Sequence, residues 1–155
     1  ENLKSWVVLP SLPPNAPPPP RLIVPYPGAS HRTARDIGNP ALMDPTAVLV
    51  GQGYAVMVPS LRSWRGGAGP ADGLARQIMA IVDAAAGQAD LTGRFDPTRL
   101  GLWGHSFGAY GALAMIGEAD RFQAAVAGPP TPSTTSACAL RNSASVNRRR
   151  AAYIT

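Results

Sequence analysis

Gly104-His105-Ser106-Phe107-Gly108 lies between a run that reads as a strand, residues 99–103, and a run that reads as a helix, residues 109–117. G-x-S-x-G in that setting requires a strand, a sharp turn and a helix in immediate succession. The turn lifts the central side chain clear of the sheet, in a backbone conformation that most residues tolerate poorly. The flanking glycines leave room where the turn packs against its neighbours. The helix that begins there aims its unpaired N–H groups and the positive end of its dipole at the same spot. Ser106 is therefore a candidate nucleophile, and the N–H of Phe107 a candidate donor to a developing oxyanion. The plain alternative is a chance match in a Gly- and Ala-rich chain. The apolar strand before the motif and the Ala-rich helix after it favour the turn.

The rest of the chain alternates in a compatible way. Residues 4–10 read as a strand, β-branched and aromatic up to a closing proline. Residues 11–20 contain six prolines and form an extended, non-helical connector. Residues 21–26 are a second apolar strand, 27–30 a turn and 31–39 a polar loop. Residues 40–51 suit a helix, with Leu42, Met43, Val48, Leu49 and Val50 on its apolar side and Pro45 near its start. Residues 53–58 are nearly all apolar, as a strand covered on both faces should be. A Gly/Arg/Trp loop over 60–69 leads to a helix over 72–86 that carries Leu74, Ile78, Ile81 and Val82 on one side. Residues 122–127 form a fifth strand, stopped by Gly128-Pro129-Pro130. Alternation from 21 to 127 predicts an α/β fold with a mostly parallel sheet of about five strands flanked by helices. Sites in such sheets lie at the carboxyl ends of the strands, which places Tyr26, Ser60 and Ser106 along one edge.

At 155 residues and 45% hydrophobic the chain is long enough for one globular domain with a core. The net charge of +5 suggests nucleic acid, but its distribution argues against that partner. Residues 131–155 hold Arg141, Arg148, Arg149 and Arg150 and no acid, which leaves ten basic against nine acidic residues elsewhere. Basic residues are not interleaved with aromatics, and no nucleic-acid motif is present. No apolar run approaches the ~20 residues of a membrane span. Neither a membrane partner nor a targeting segment is expected, and a soluble, cytoplasmic or periplasmic protein fits the composition. Cys138 is alone, so an intrachain disulfide and a cysteine metal cluster are excluded. It reads as a structural or incidental thiol, and no metal or cofactor is expected. Residues 1–130 form the patterned domain. Residues 131–155, rich in Ser, Thr, Asn, Ala and Arg, read as an atypical, disordered basic tail. The abrupt change of pattern near Pro130 also suits a reading-frame change in a GC-rich coding sequence.

Leu100 to Gly111, L-G-L-W-G-H-S-F-G-A-Y-G, resembles the nucleophile segment of the prolyl oligopeptidase family of serine peptidases. Gly53 to Pro59, G-Y-A-V-M-V-P, is similar to a strand upstream of it in those enzymes, and Pro25-Tyr26-Pro27-Gly28-Ala29 to the segment carrying the family's oxyanion tyrosine. Phe122 to Pro130 matches the strand after the nucleophile helix. The resemblance covers roughly residues 3–130. It implies a partial α/β-hydrolase fold, with Ser106 as nucleophile and the Phe107 N–H and Tyr26 hydroxyl as oxyanion donors. It also implies a peptide or small protein as substrate, hydrolysed through an acyl-enzyme. An ordinary aromatic at a strand end is the other reading of Tyr26. Arg62 and Arg65 can be imagined on a substrate carboxylate, but loop arginines are usually only solvated.

The chain order in this fold is Ser, Asp, His. After Ser106 come Glu118 and Asp120 at the far end of the helix, and no histidine. His105 leaves the turn in a different direction from Ser106, and His31 reads as a solvated loop histidine that can only conceivably approach the site. Triad acid and base are therefore expected beyond Pro130, and a chain without them is expected to be inactive. A carboxylesterase or lipase-like hydrolase shares the turn, but Pro25 to Ala29 lacks the His-Gly-Gly of one esterase type. A non-catalytic fragment is the remaining alternative. Oligomeric state is not legible.

Overall fold

The computed structural model describes residues 3–38, 44–63 and 69–128, together with the backbone of 151–153. β1 (Trp6–Val8) and β2 (Pro20–Ile23) flank the proline-rich connector. α1 (Thr46–Gly51), β3 (Ala55–Val58), α2 (Leu74–Ala86), β4 (Asp96–Gly104), α3 (Phe107–Glu118) and β5 (Phe122–Ala127) then alternate. β6 (Ala151–Tyr153) closes the list. The sheet order is β1-β3-β2-β4-β5-β6, with β1 antiparallel to β3 and every other pair parallel. The α/β class and the mostly parallel sheet read from the sequence are thus observed.

Differences lie at the boundaries. The helix expected over 40–51 begins only at Thr46, with Pro45 at its N-cap and the Asp44 carboxylate accepting the Thr46 N–H, while 39–43 lie outside the described residues. The strand expected over 99–103 begins three residues earlier, at Asp96, because β2 offers it a partner there: Pro20 pairs with Asp96, and a register shift then sets Arg21 against Leu100. The tail expected to be disordered lies mostly outside the described residues. Its one described piece, Ala151–Tyr153, pairs with Ala125–Ala127 as a further parallel strand. Three residues carry no visible periodicity; the open hydrogen-bonding edge of β5 supplies the order that the local sequence lacks.

The two faces of the sheet are treated differently. Ile23, Met57, Leu100, Leu102, Phe122 and Ala125 face Leu74, Ile78 and Val82 of α2 and Ala112 and Met115 of α3 in one buried cluster. Each large side chain removed from water there contributes roughly 1.5–3 kcal/mol. On the opposite face α1 packs over β3, so all four β3 residues are buried. Leu22, Trp103 and Val126 on the neighbouring strands are only half-buried, and Ala124 is exposed.

One core residue breaks the apolar pattern. Arg21, on the α2/α3 side of β2, is completely buried. Its Nε, Nη1 and Nη2 have no hydrogen-bond acceptor among the described residues, and its guanidinium carbon lies 3.0 Å from the centre of the Phe95 ring. Burial, and secondarily the charge of Arg121, pull its pKa down to about 10, so it stays charged at neutral pH. A cation over a desolvated ring recovers ~2 kcal/mol, less than the several kcal/mol lost on leaving water. Arg21→Met is therefore expected to stabilise the fold by about 1–4 kcal/mol. Thermal melts check this, and a lowered midpoint would show that the ring contact outweighs desolvation.

Candidate active site

Ser106 sits where β4 ends and α3 begins, with φ 53° and ψ −120°. A non-glycine residue there carries about 1–3 kcal/mol of backbone strain. Serine is also a favoured helix N-cap, yet at this N-cap position its side chain makes no capping hydrogen bond. The N–H of Phe107, first in α3, has no intrahelical acceptor by position. The N–H groups of Gly108 and Ala109 turn back onto the carbonyls of His105 and Ser106.

The flanking glycines are set by backbone contact. A Cβ on Gly104 would lie 2.2 Å from the Gly108 carbonyl oxygen, and one on Gly108 would lie 2.7 Å from the Pro25 carbonyl oxygen. One turn further on, a Cβ on Gly111 would meet the Pro27 ring and Leu74 at 3.3 Å. Pro25-Tyr26-Pro27 thus rides on the Gly108–Gly111 face of α3. This seating brings Tyr26 beside the turn: its ring meets that of Phe107 edge-on, with centroids 6.0 Å apart and planes at 72°. Phe107 in turn lies parallel to Tyr110, at 5.6 Å and 4°. Tyr26 is 46% exposed.

The structure therefore brings Ser106, Phe107 and Tyr26 together, and separates the other candidates. Ser60 is buried. Its hydroxyl accepts the His31 N–H at 2.8 Å and donates to the Lys4 carbonyl, which ties the start of β1 to the loop after β2. Ser60 is a structural tie, and its place on the carboxyl edge does not put it at the site. Arg62 is exposed, with its N–H on Gln77 Oε1, and Arg65 lies outside the described residues. Glu118 closes the 12-residue α3, about 18 Å along the axis from Ser106 at 1.5 Å per residue, and Asp120 is further still.

The His31 backbone is held at both polar atoms, because its carbonyl also accepts the Trp6 indole N–H at 3.0 Å. Burial lowers its pKa, with Asp44 and Asp36 partly opposing, so the imidazole is uncharged at neutral pH. Both carboxylates also serve locally: Asp36 accepts the Thr33 N–H, and Asp44 those of Thr46 and Gly38. Among the described residues no hydrogen bond joins His31 or His105 to Ser106. Both line a cavity of about 300 Å³ between the ends of β2, β3 and β4, with Val24, Pro25, Tyr26, Val58 and Trp103 among its walls. The sequence alone did not reveal this cavity, nor the place of Tyr110. The spacing of Phe107 and Tyr110, one helical turn apart, was the available signal for the latter. Among the described residues no cluster of His, Cys, Asp or Glu is arranged to hold a metal ion, and no helix is long and apolar enough to cross a membrane.

A family model described as the prolyl oligopeptidase family matches residues 43–139. The chain belongs to that family. Over 61 residues this family member is 39% identical to the bis(hydroxyethyl) terephthalate hydrolase of Streptomyces coelicolor, a stretch that is 39% of this chain and 19% of that protein. The isopeptidase AtxE2, solved as a variant with astexin3-dC4 bound, is 25% identical with a TM-score of 0.53 over 79% of this chain and 20% of its own. An acetyl xylan esterase from Paenibacillus sp. R4 shares the fold at a TM-score of 0.56 and 16% identity, over 81% of this chain and 44% of its own. The chain thus spans less than half the length of each of these proteins. The fold is that of the α/β-hydrolases, and the family and its relatives are hydrolases.

Two substitutions test the geometry. Gly108→Ala forces a methyl group against the Pro25 carbonyl and is expected to cost about 1–3 kcal/mol, read by chemical denaturation. Ser106→Gly relieves the strained φ whereas Ser106→Ala keeps it. The glycine variant is expected to melt roughly 2–4 °C above the alanine variant, about 1 kcal/mol after glycine's entropy cost.

Proposed function

We propose that Ser106 is the nucleophile of a serine hydrolase that cleaves peptide bonds through an acyl-enzyme. The observation that carries this reading is the strained, uncapped Ser106 between β4 and α3, with Phe107 and Tyr26 beside it. In the reaction the Ser106 Oγ attacks the scissile carbonyl carbon and the carbonyl oxygen takes up the negative charge. The Phe107 N–H and Tyr26 hydroxyl donate to that oxygen, the bond to the leaving amine breaks, and water then releases the acyl group. Preorganised donors of this kind are worth about 10²–10³ in rate each.

The general base and its orienting acid belong, on the Ser-Asp-His order of this fold, to chain following β5. Residues 131–155 contain neither histidine nor acid, so on this reading the base lies outside the given sequence. A nucleophile and oxyanion hole without a base retain only about 10³–10⁴ over water. Peptide bonds are the first choice because the family is one of peptidases and the isopeptidase shares the fold. Ester hydrolysis is the second, favoured by the 39% identical stretch shared with an ester-cleaving relative.

A fluorophosphonate probe, which needs an accessible serine and an oxyanion hole, tests the assignment on this chain. Slow labelling at Ser106 is expected, abolished in Ser106→Ala and slowed by roughly 10²-fold in Tyr26→Phe. Labelling at other residues only, seen by peptide mass spectrometry, would remove Ser106 from its role.

A further inference from the structure

The cavity beside Ser106 discriminates among acyl groups. We infer that it is an acyl pocket for an uncharged group bearing one flat ring, an inference that rests on the reading of Ser106 as nucleophile. Place is the first argument. His105 and Gly108, which flank Ser106 in the turn, both line the cavity, so it reaches the turn that carries the nucleophile. Size is the second. A cavity of about 300 Å³ is about twice the ~150 Å³ that holds one benzene ring, room for a ring and a short extension but not for several peptide residues.

Lining is the third argument. Tyr26 and Trp103 supply aromatic surface, and Val24, Pro25 and Val58 apolar surface. Tyr26 is already fixed edge-on by Phe107, itself stacked on Tyr110. A ring immobilised before the substrate arrives loses little further freedom on binding, so the contact is not offset by ordering it. Charge is the fourth. Among the described residues Asp36 and Asp44 line the cavity, neither Lys nor Arg does, and the His31 imidazole is uncharged. A carboxylate on the ring would meet two like charges there, and no described lining residue is a Lys or Arg to offset them.

The ring can sit on the scissile carbonyl, as in a benzoyl-type ester, or two carbons away, as in a peptide cleaved after an arylalanyl residue. Boronic acids separate the two. The Ser106 Oγ adds to the trigonal boron, an O–B bond forms and the hydroxyl proton passes to solvent, leaving a tetrahedral boronate visible by boron NMR. Phenylboronic and 2-phenylethylboronic acids stand for the two sources, n-butylboronic acid for apolar bulk without a ring, and 4-carboxyphenylboronic acid for a charged ring.

At least one uncharged ring-bearing acid is expected to bind the full 155-residue chain about tenfold tighter than the butyl acid, ~1.4 kcal/mol. Whichever binds tighter identifies the source, and the carboxyphenyl acid is expected to bind weaker than the phenyl acid. The preference is expected to vanish in Ala29→Phe, whose ring fills the cavity from a lining position outside the reacting groups. Trp103→Leu, which removes one aromatic wall, serves if that variant does not fold and is expected to cut the preference. Butyl affinity equal to or above both ring acids, or a preference unchanged in these variants, overturns the pocket.

Absence of any tetrahedral adduct overturns the nucleophile instead, and the pocket is then read alone. Saturation transfer from the chain to methyl benzoate or ethyl 3-phenylpropanoate, lost in Ala29→Phe, supports it. No transfer to either overturns it.

Discussion

Helix α3 approaches the ends of β2 and β4 so closely that a single methyl group does not fit between them. Gly104 touches the backbone of Gly108, Gly108 touches the backbone of Pro25, and Gly111 touches the ring of Pro27. Backbone does not yield as a side chain does, so these contacts fix three things at once. They fix the angle at which α3 leaves the sheet, the height of the segment bearing Tyr26, and the distance between the Tyr26 and Phe107 rings. Ser106 at the start of α3 and Tyr26 at the end of β2 are 80 residues apart in sequence, yet their relative position is set by packing at two glycines. The candidate oxyanion hole is in this sense a by-product of helix-to-strand packing.

The same packing keeps Ser106 in its unfavourable conformation. A strain of about 1–3 kcal/mol is comparable to the burial of one large apolar side chain. The cluster formed by β2, β3, β4, β5, α2 and α3 holds many such side chains, so the fold carries the strain easily. Arg21 draws on the same reserve. Its unpaired charge is a second local cost, placed near the amino-terminal end of β2, away from the reacting edge. The fold therefore carries a local cost at both ends of β2 and β4, an unpaired cation at one and a strained backbone at the other.

What the sequence made legible follows from which forces are local. Strand and helix alternation was readable because apolar runs such as 55–58 and the one-sided pattern of Leu74, Ile78 and Val82 are local signals. The strand, turn and helix around Ser106 were readable because G-x-S-x-G has a fixed spacing, and that Tyr26 lies beside Phe107 agrees with the family resemblance of its segment. Ser60 lies on the carboxyl edge, as strand direction implies, but that its hydroxyl is taken up by partners 29 and 56 residues away is something no local pattern reveals. The burial of Arg21 was hidden for a similar reason, since a strand-edge arginine normally snorkels to water. The cavity was invisible because its walls come from three strand ends and the approach to α1. The β6 pairing was missed because it depends on the open edge of β5 and not on its own three residues.

The unequal cover on the two faces of the sheet has a consequence for synthesis. Every member of the large buried cluster lies between Ile23 and Ala125. All of its partners have left the ribosome once β5 has emerged. Chains are made at about 5–20 residues per second, slow compared with the collapse of a chain this size, on the order of 10–100 μs. One side of the sheet can thus be sealed during translation, while Leu22, Trp103 and Val126 on the other side are still partly wet. Chain made later meets a surface already shaped by α1 and the strand ends, and is selected by its fit to that surface.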